Sequence, residues 1–245
     1  MKNFAVIGNP INHSLSPVMH NWIFNTLGLD AEYTKIKVNA NDLPQVIQEM
    51  KEGKLNGINV TIPYKTTIIQ YLDDINTRAE SIGAVNCVMN LDAKIIGNNT
   101  DWYGFVMSMK KNNITLSNRE VIVLGSGGAA QSIIFSLKQI GVKKIEILNR
   151  TIENTLRFQD KHISVYALND AEHIIKTNSI IINATSVGMY NKESPIDYKL
   201  IHQDQIIIDI IYTPLQSQLL QFGEKIGALT INGLDMFINQ GLASL

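Results

Sequence analysis

The chain has 245 residues, of which 45% are hydrophobic and 18% are charged. This balance is typical of a globular protein with one large or two modest domains, and it excludes a disordered chain. The net charge of -1 gives no reason to expect nucleic acid or an anionic membrane as a partner. Cys87 is the only cysteine, so no disulfide can form within the chain, and we expect a reducing, cytoplasmic location. We expect neither a signal peptide nor a membrane span, because the apolar runs are too short.

Strand and helix patterns alternate along the first part of the chain. We predict strands at 4–8, 31–38, 57–62, 84–90 and 94–98, the last two forming a hairpin. The predicted helices cover 16–27, 42–51 and 77–82, and a further helix opens at Pro63 and carries Tyr64 and Lys65. Ser16 followed by Pro17 is typical of the N-cap and first position of a helix. Such alternation indicates an α/β unit with parallel pairing.

A second α/β run follows the helix that Thr100-Asp101 opens, which extends to about Lys111. The domain boundary falls on or just after this helix. The predicted strands of the second α/β run are 121–124, 144–148, 165–167, 179–183, 206–210 and 228–231. The continuous apolar character of 180–182 and 206–208 indicates strands covered on both faces. A last helix begins at about Leu234 and carries Gln240.

A glycine-rich turn after the strand 121–124 is the central motif of this second run. It fits G-x-G-x-x-(G/A), with Gly125, Gly127 and Ala130 in the three special places. An amphipathic helix follows from Gln131, so its N-terminus offers free N–H groups to phosphates. The pattern predicts a dinucleotide site of the Rossmann type; the alternative is a strand-to-helix turn without a ligand.

Asn149-Arg150-Thr151 bears on which dinucleotide binds. These residues follow the second strand of the glycine-rich domain, and Asn149 stands 24 positions after Gly125. A site that prefers NAD has an acidic residue there to bind the ribose hydroxyls. Here Arg150 suits a 2′-phosphate and Thr151 can donate to it, which favours NADP; otherwise Arg150 is a surface arginine.

Several polar residues in the first run are candidates for substrate binding. Asn59 and Thr61 share one face of an apolar strand and are suited to hold a polyol, although a solvated strand face is the alternative. Lys65, in the first turn of its predicted helix, opposes the helix dipole, which makes it a candidate functional group, although an ordinary surface lysine is the alternative. Asp101 is either a helix-capping acid or the carboxylate partner of Lys65. Such a pair can share a proton, as hydride transfer to or from an alcohol requires.

Three further residues stand out beside these. Ser14 and Ser16 are two apart at a helix N-terminus, a suitable place for a substrate carboxylate, although capping alone also explains Ser16. Asn86 lies within a predicted apolar strand and, if buried, needs partners. Because no cluster of Cys and His has ligand spacing, we expect no metal site.

The chain resembles the shikimate dehydrogenases, through motifs that occur in order over nearly its whole length. They are Gly8-Asn9-Pro10, His13-Ser14-Leu15-Ser16-Pro17, Asn59-Val60-Thr61-Ile62-Pro63 with Lys65, Gly83-Ala84-Val85-Asn86, Asn99-Thr100-Asp101, Gly125-Ser126-Gly127-Gly128-Ala129-Ala130, Asn149-Arg150-Thr151, Asn183-Ala184-Thr185-Ser186-Val187-Gly188-Met189, Asp209 with Tyr212 and Pro214, and Gly233-Leu234-Asp235-Met236 with Gln240.

The resemblance implies NADPH-dependent reduction of 3-dehydroshikimate to shikimate, a step toward chorismate and the aromatic amino acids. It implies two domains. The substrate domain comprises residues 1–103 and the C-terminal helix 235–245, and the Rossmann domain that binds NADP comprises residues 104–234. Lys65 and Asp101 become the catalytic pair. The implied substrate contacts are Ser14, Ser16, Asn59, Thr61, Lys65, Asn86, Asp101, Tyr212 and Gln240. Besides the glycine turn and Asn149-Arg150-Thr151, the implied cofactor contacts are Thr185, Ser186, Met189, Gly233 and Met236.

Two alternatives and two departures accompany this interpretation. The chain could be a quinate/shikimate dehydrogenase with broader substrate or NAD use, or a weakly catalytic protein that binds NADP or shikimate. We expect a monomer or homodimer.

Asn154 stands where the family often has a basic residue, which weakens binding of the 2′-phosphate. Relatives continue beyond Gln240 with a helix that packs on the substrate domain, whereas this sequence ends at Leu245, so we expect exposed apolar surface and a looser Gln240.

Overall fold

A computed structural model describes residues 1–177 and 179–245 of the chain. They form two compact units. Unit 1 comprises Met1–Asp101 together with Gln240–Leu245, and unit 2 comprises Trp102–Asn239. The boundaries between the units fall inside two helices, α4 (Asp101–Lys111) and α8 (Leu234–Leu242).

Unit 1 is built on a six-stranded mixed sheet. Its elements are β1 (Lys2–Gly8), α1 (Ser16–Leu27), β2 (Ala31–Lys37), α2 (Leu43–Lys51), β3 (Gly57–Val60), β4 (Asp74–Ile75), α3 (Thr77–Ile82), β5 (Cys87–Leu91) and β6 (Lys94–Asn98), with 3-10 helices at Ala40–Asp42 and Thr67–Tyr71. The strand order is β2-β1-β3-β5-β6-β4. The β3–β5 and β5–β6 pairs are antiparallel, and the others are parallel.

The core of unit 1 follows from the period of two along β1. Ala5 and Ile7 pack in one apolar cluster, whereas Val6 packs in a second cluster with Phe24 and Tyr33. The first cluster also receives the buried residues of α2, which recur at the helical spacing: Leu43, Val46, Ile47 and Met50.

Local structure in unit 1 differs from the sequence prediction in several places. Strand β3 ends at Val60 rather than at 62, so Thr61 lies beyond the strand face that it was expected to share with Asn59. No helix begins at Pro63: the segment turns, and a 3-10 helix follows at Thr67–Tyr71. The β-branched run from Thr66 to Ile69 disfavours an α-helix, and burial of Tyr64 fixes the turn. Strand β5 begins at Cys87, so Asn86 precedes the strand. Ser16 is the first residue of α1, and Leu15 occupies the cap position without a side-chain capping bond.

Unit 2 contains a six-stranded, fully parallel sheet. Besides α4 and α8, its elements are β7 (Glu120–Leu124), α5 (Gly128–Ile140), β8 (Lys144–Asn149), β9 (Ile163–Ala167), α6 (Ala171–Thr177), β10 (Ile180–Asn183), β11 (Ile206–Asp209), α7 (Gln218–Lys225) and β12 (Leu229–Ile231). The strand order is β12-β11-β10-β7-β8-β9, which is the doubly wound Rossmann order with its switch point between β7 and β10. The predicted fold class, two α/β domains with one of the Rossmann type, is confirmed.

Both faces of this sheet are covered, as the apolar runs predicted. Val121 and Val123 pack in a cluster with Leu137 of α5, whereas Ile122 and Leu124 pack in a cluster on the other side of the strand. The second cluster includes buried residues of α6 and α7, two helices that sequence patterns did not predict. Because all six strands are parallel, their carboxyl ends lie at one edge of the sheet, and ligands bind at this edge in Rossmann folds.

Candidate active site

Lys65 and Asp101 form an ion pair inside unit 1. The Lys65 Nζ lies 2.6 Å from Asp101 Oδ2, and their side chains are 15% and 5% exposed. Asp101 is the first residue of α4, and its backbone N–H donates to Asn99 Oδ1 at 3.0 Å. Lys65 lies in the turn before the 3-10 helix, where its carbonyl accepts a 2.7 Å bond from the backbone N–H of Val85. Two separate segments thus hold a largely buried lysine against a buried carboxylate.

Asn86 is the hub of the polar cluster around this pair. Its Nδ2 lies within donating distance of Thr100 Oγ1 at 2.9 Å, Asp101 Oδ1 at 2.9 Å and Gln240 Oε1 at 3.1 Å. Its Oδ1 accepts from the Thr100 backbone N–H at 2.7 Å. Asn86 is 2% exposed, so these partners supply what a buried amide needs. The amide therefore fixes one carboxylate oxygen while Lys65 holds the other.

Asn59 is oriented by a side chain that sequence reasoning missed. The Tyr33 hydroxyl donates to Asn59 Oδ1 at 2.6 Å, and Asn59 Nδ2 donates to the Asn86 carbonyl at 3.1 Å. The Tyr33 ring stacks on His20, with ring centroids 4.2 Å apart. Burial lowers the pKa of His20 to about 4, so its ring is neutral at pH 7. The sequence shows Tyr33 only as an aromatic residue with a polar hydroxyl on a predicted strand, and its bond to Asn59 is visible only in the structure.

The remaining candidates in unit 1 lie at the ends of β3 and α1. Thr61 follows β3, and its backbone N–H donates to the Ile7 carbonyl at 3.0 Å. Ser14 and Ser16 are both buried, and the Ser16 backbone N–H donates to Ser14 Oγ at 3.3 Å. Ser14, rather than Ser16, is therefore the residue that binds a backbone donor at the start of this helix.

The glycine turn in unit 2 fits a phosphate group. Gly125 has φ +104°, and a Cβ there would lie 2.9 Å from the methyl group of Thr185, so the position demands glycine. A Cβ at Gly127 would meet nothing within 4 Å, which leaves open space beside the turn. Gly127 is the N-cap of α5, and no side chain caps the first N–H groups of that helix among the described residues. Anions bind at such helix ends. Ser126, Gly128, Ala129 and Ala130 complete the turn.

The loop after β8 lies beside this turn, because β7 and β8 are neighbouring strands. Asn149 ends β8, and its Nδ2 donates to the Thr151 carbonyl at 2.7 Å. Arg150 and Thr151 are exposed. In Rossmann folds, residues at this position contact the ribose of the bound dinucleotide.

A buried network joins the loops that follow β10 and β11. Asn183 Nδ2 donates to Asp209 Oδ1 at 3.0 Å, and Ser217 Oγ donates to Asp209 Oδ2 at 2.6 Å. Asn183 Oδ1 in turn accepts from the backbone N–H and hydroxyl of Thr185, at 3.0 and 2.7 Å. Burial raises the pKa of Asp209 to about 6, although the bonds from Ser217, Ile211 and Asn183 act in the opposite direction. The sequence marked Asn183 and Asp209 as motif residues but gave neither a role.

The other predicted cofactor and substrate residues of unit 2 belong to these loops and to α8. Met189 donates its backbone N–H to the Ser186 carbonyl at 3.1 Å. Tyr212 stacks on Phe237 at 4.3 Å between centroids. A Cβ at Gly233 would lie 1.9 Å from the Ile210 carbonyl oxygen, so the chain passes too closely there for any other residue. Met236 is buried in α8.

Metal and membrane sites find no support in the described residues. Among residues 1–177 and 179–245, no group of three or more His, Cys, Asp or Glu side chains is placed to hold a metal ion. None of the helices described there is long and apolar enough to cross a membrane. A Rossmann sheet with an open glycine turn, together with a largely buried lysine–aspartate pair in a second α/β unit, indicates a dinucleotide-dependent dehydrogenase.

Comparison with known proteins specifies the family. Residues 6–88 match the family model described as the shikimate dehydrogenase substrate binding domain, and residues 107–211 match the model described as shikimate / quinate 5-dehydrogenase. A relative from Shouchella clausii, shikimate dehydrogenase (NADP(+)), is 40% identical over 253 residues, covering 100% of this chain and 91% of the relative. The chain belongs to the shikimate dehydrogenase family.

Solved structures agree with this assignment. The crystal structure of shikimate dehydrogenase from Aquifex aeolicus superposes with a TM-score of 0.91 at 36% identity, covering 100% of this chain and 91% of that one. Shikimate 5-dehydrogenase from Thermus thermophilus, in complex with NADP(H) and shikimate, superposes with a TM-score of 0.89 at 31% identity, covering 100% of this chain and 92% of that one. The resemblance found in the sequence motifs is thereby confirmed.

Proposed function

We propose that this chain catalyses the reversible, NADP-dependent reduction of 3-dehydroshikimate to shikimate, with Lys65 and Asp101 as its catalytic pair. The observation that carries the proposal is the 2.6 Å ion pair between the largely buried Lys65 and the buried Asp101. Unit 1, which matches the shikimate dehydrogenase substrate binding domain over residues 6–88, binds the substrate, and unit 2, which contains the glycine turn, binds NADP. The reaction places the chain in the synthesis of chorismate and aromatic amino acids.

Unit 2 supplies the groups that hold the cofactor. Bound NADPH provides the hydride that adds to the ketone carbon. The uncapped N-terminus of α5 and the open space at Gly127 receive the pyrophosphate. Arg150 and Thr151 bind the 2′-phosphate of the ribose. Thr185, Ser186, Met189, Gly233 and Met236 contact the nicotinamide end.

Unit 1 supplies the groups that hold the substrate. Ser14 and Ser16 bind its carboxylate at the start of α1, and Asn59 and Thr61 bind ring hydroxyls beside β3. Asn59 acts as a donor, because Tyr33 already donates to its Oδ1. Asn86 and Gln240 reach the substrate by exchanging their mutual 3.1 Å bond for bonds to a hydroxyl. Tyr212, which belongs to unit 2, is the remaining predicted substrate contact.

Lys65 handles the proton of the reaction. As hydride adds to the ketone carbon, the carbonyl oxygen becomes an alkoxide, and the Lys65 ammonium donates a proton to it. The lysine is left as a neutral amine, which regains a proton from water. Asp101 accepts from Lys65 through Oδ2 and from Asn86 through Oδ1, so the ammonium is held in one orientation. A positioned acid of this kind contributes about 10²–10⁴-fold in rate.

Replacing Lys65 by methionine tests the catalytic role. The variant keeps the length of the side chain and removes its charge and proton. We expect kcat for shikimate oxidation to fall by about 10²-fold or more, while the Kd for shikimate changes much less, because the bond to the oxygen strengthens in the transition state. The absorbance of the reduced nicotinamide gives the rate, and calorimetry gives the Kd.

Lys51→Met is a matched control for this experiment. Lys51 pairs with Asp73 at 2.9 Å within unit 1, but both side chains are well exposed. The control should leave kcat unchanged. A Lys65→Met enzyme with near-normal kcat would rule out the proposed role of Lys65.

The same assays separate the alternative functions. A quinate/shikimate dehydrogenase with broader use would oxidise quinate, or use NAD⁺, at rates close to those with shikimate and NADP⁺. A binding protein would retain micromolar-range affinity for NADP or shikimate while showing no turnover. We further propose that the chain works in the cytoplasm as a monomer or homodimer, which analytical ultracentrifugation resolves.

A further inference from the structure

One arginine that no motif singles out lies against the glycine turn. Arg157 belongs to the 3-10 helix Leu156–Phe158, in the connection between β8 and β9. Its Nη2 donates to the backbone carbonyl of Ser126 at 3.2 Å. Its guanidinium carbon lies 4.7 Å from the centroid of the Phe158 ring. A cation is therefore held on the backbone of the turn that receives the dinucleotide.

The position of this cation matters because of where the 2′-phosphate must lie. Strands β7 and β8 are paired with Leu124 opposite Leu148, so the glycine turn and the segment Asn149-Arg150-Thr151 leave the sheet side by side. The ribose of a dinucleotide sits between those two segments in a Rossmann fold. The Arg157–Ser126 bond joins the same two connections.

We propose that Arg157 is a specificity-determining residue that, with Arg150, binds the 2′-phosphate of NADP. This inference rests on the proposed function, and it addresses the departure at Asn154. An asparagine there offers hydrogen bonds without charge, and Glu153 beside it carries a negative charge. Arg157, three positions further along, supplies the positive charge that the segment lacks at 154.

The chemistry of the guanidinium suits this role. A phosphate monoester carries about −1.5 to −2 charges at pH 7. Arginine presents a planar set of N–H donors that matches phosphate geometry, and it stays charged at all relevant pH values. Because Arg157 is exposed, its attraction is partly screened by salt. Its contribution should therefore weaken as ionic strength rises.

Binding of 2′,5′-ADP tests the proposal without catalysis. This probe carries the 2′-phosphate but no nicotinamide, and 5′-AMP is the matched ligand without that phosphate. In Arg157→Gln, which keeps N–H donors for the Ser126 carbonyl, we expect calorimetry to give about five- to tenfold weaker binding of 2′,5′-ADP. Binding of 5′-AMP should change by less than about twofold. The loss should shrink at high salt.

Two further variants define the outcomes. Arg157→Lys keeps the charge and should retain most of the affinity for 2′,5′-ADP. Lys161→Gln removes an exposed charge from the same connection between β8 and β9 and should leave both affinities unchanged. If Arg157 only braced the loop, Arg157→Gln would weaken both ligands equally, and that result would overturn the inference, as would no change with either ligand.

The experiment distinguishes this inference from the proposed function. A wild-type chain that fails to oxidise shikimate with NADP⁺ but prefers 2′,5′-ADP through Arg157 would refute the proposed reaction alone. A wild-type chain that oxidises shikimate, with an Arg157→Gln variant of unchanged selectivity, would refute the role of Arg157 alone.

Discussion

Replacing Asp209 by asparagine removes the charge of one buried carboxylate with little change of shape. Asp209 is fully buried at the end of β11 and accepts three bonds. In the variant, Oδ1 can still accept from Asn183 and the Ile211 backbone N–H. The new amide nitrogen faces Ser217 Oγ, which can accept a hydrogen bond. The main change is therefore the loss of a group that titrates.

The size of the effect follows from the pKa of Asp209. Burial raises this pKa from 3.8 to about 6. The folded protein thus binds a proton more tightly than the unfolded chain, so ionisation of Asp209 lowers the free energy of unfolding as pH rises from about 4 to about 6. A difference of about two pKa units corresponds to about 3 kcal/mol. Asp209→Asn should lack this loss, which is complete above about pH 6.

His20 requires that the two proteins be compared at each pH. Burial lowers the pKa of His20 from 6.5 to about 4. Since the unfolded chain binds the extra proton, this histidine lowers stability as pH falls through the same range. The slope of the wild-type protein alone is therefore a sum of opposing contributions. His20 is unchanged in the variant, so its contribution cancels in the difference.

Urea unfolding followed by tryptophan fluorescence measures this difference. The chain has two tryptophans, Trp22 in unit 1 and Trp102 in unit 2. A Trp22→Phe background makes Trp102, and hence unit 2, the reporter. The gap in unfolding free energy between the Asp209→Asn and Asp209 proteins should change by about 3 kcal/mol between about pH 4 and pH 7, in favour of the variant at the higher pH. A gap that stays constant with pH would refute the reasoning.

Three further predictions address binding and packing. Tyr33→Phe removes the 2.6 Å donor to Asn59, so we expect a several-fold higher KM for shikimate with a smaller change in kcat; steady-state rates check this, and an unchanged KM would contradict it. Gly125→Ala forces a side chain onto φ +104° against Thr185, so thermal unfolding should show a loss of about 1–3 kcal/mol, whereas equal stability would mean that the turn relaxes freely. Phe105→Ala empties part of the unit 2 core, and its urea midpoint should reveal a loss of about 3–5 kcal/mol; a loss below about 1 kcal/mol would show that the core closes around the gap.

The course of the chain through most of the Rossmann unit could be predicted from local patterns. The sequence predicts β7, the glycine turn and α5 directly, because an apolar run, three small residues and a segment with the helical period follow one another in the chain. Helices α6 and α7 were not predicted; they have only seven and eight residues, so about two turns of each are available to show the helical period. The helix expected at Pro63 was wrong because burial of Tyr64 decides that turn.

The sequence by itself determined the fold class, the dinucleotide turn and the residue types from which the site is built. Those features depend on residues close together in the chain, where spacing and periodicity are sufficient. Only the tertiary structure decided which side chains meet. Lys65 and Asp101 are 36 positions apart and Asn86 and Gln240 are 154 apart, so sheet pairing and helix packing place them together. For the same reason Tyr33, Asp209 and Arg157 acquired roles only once the partners of each were known.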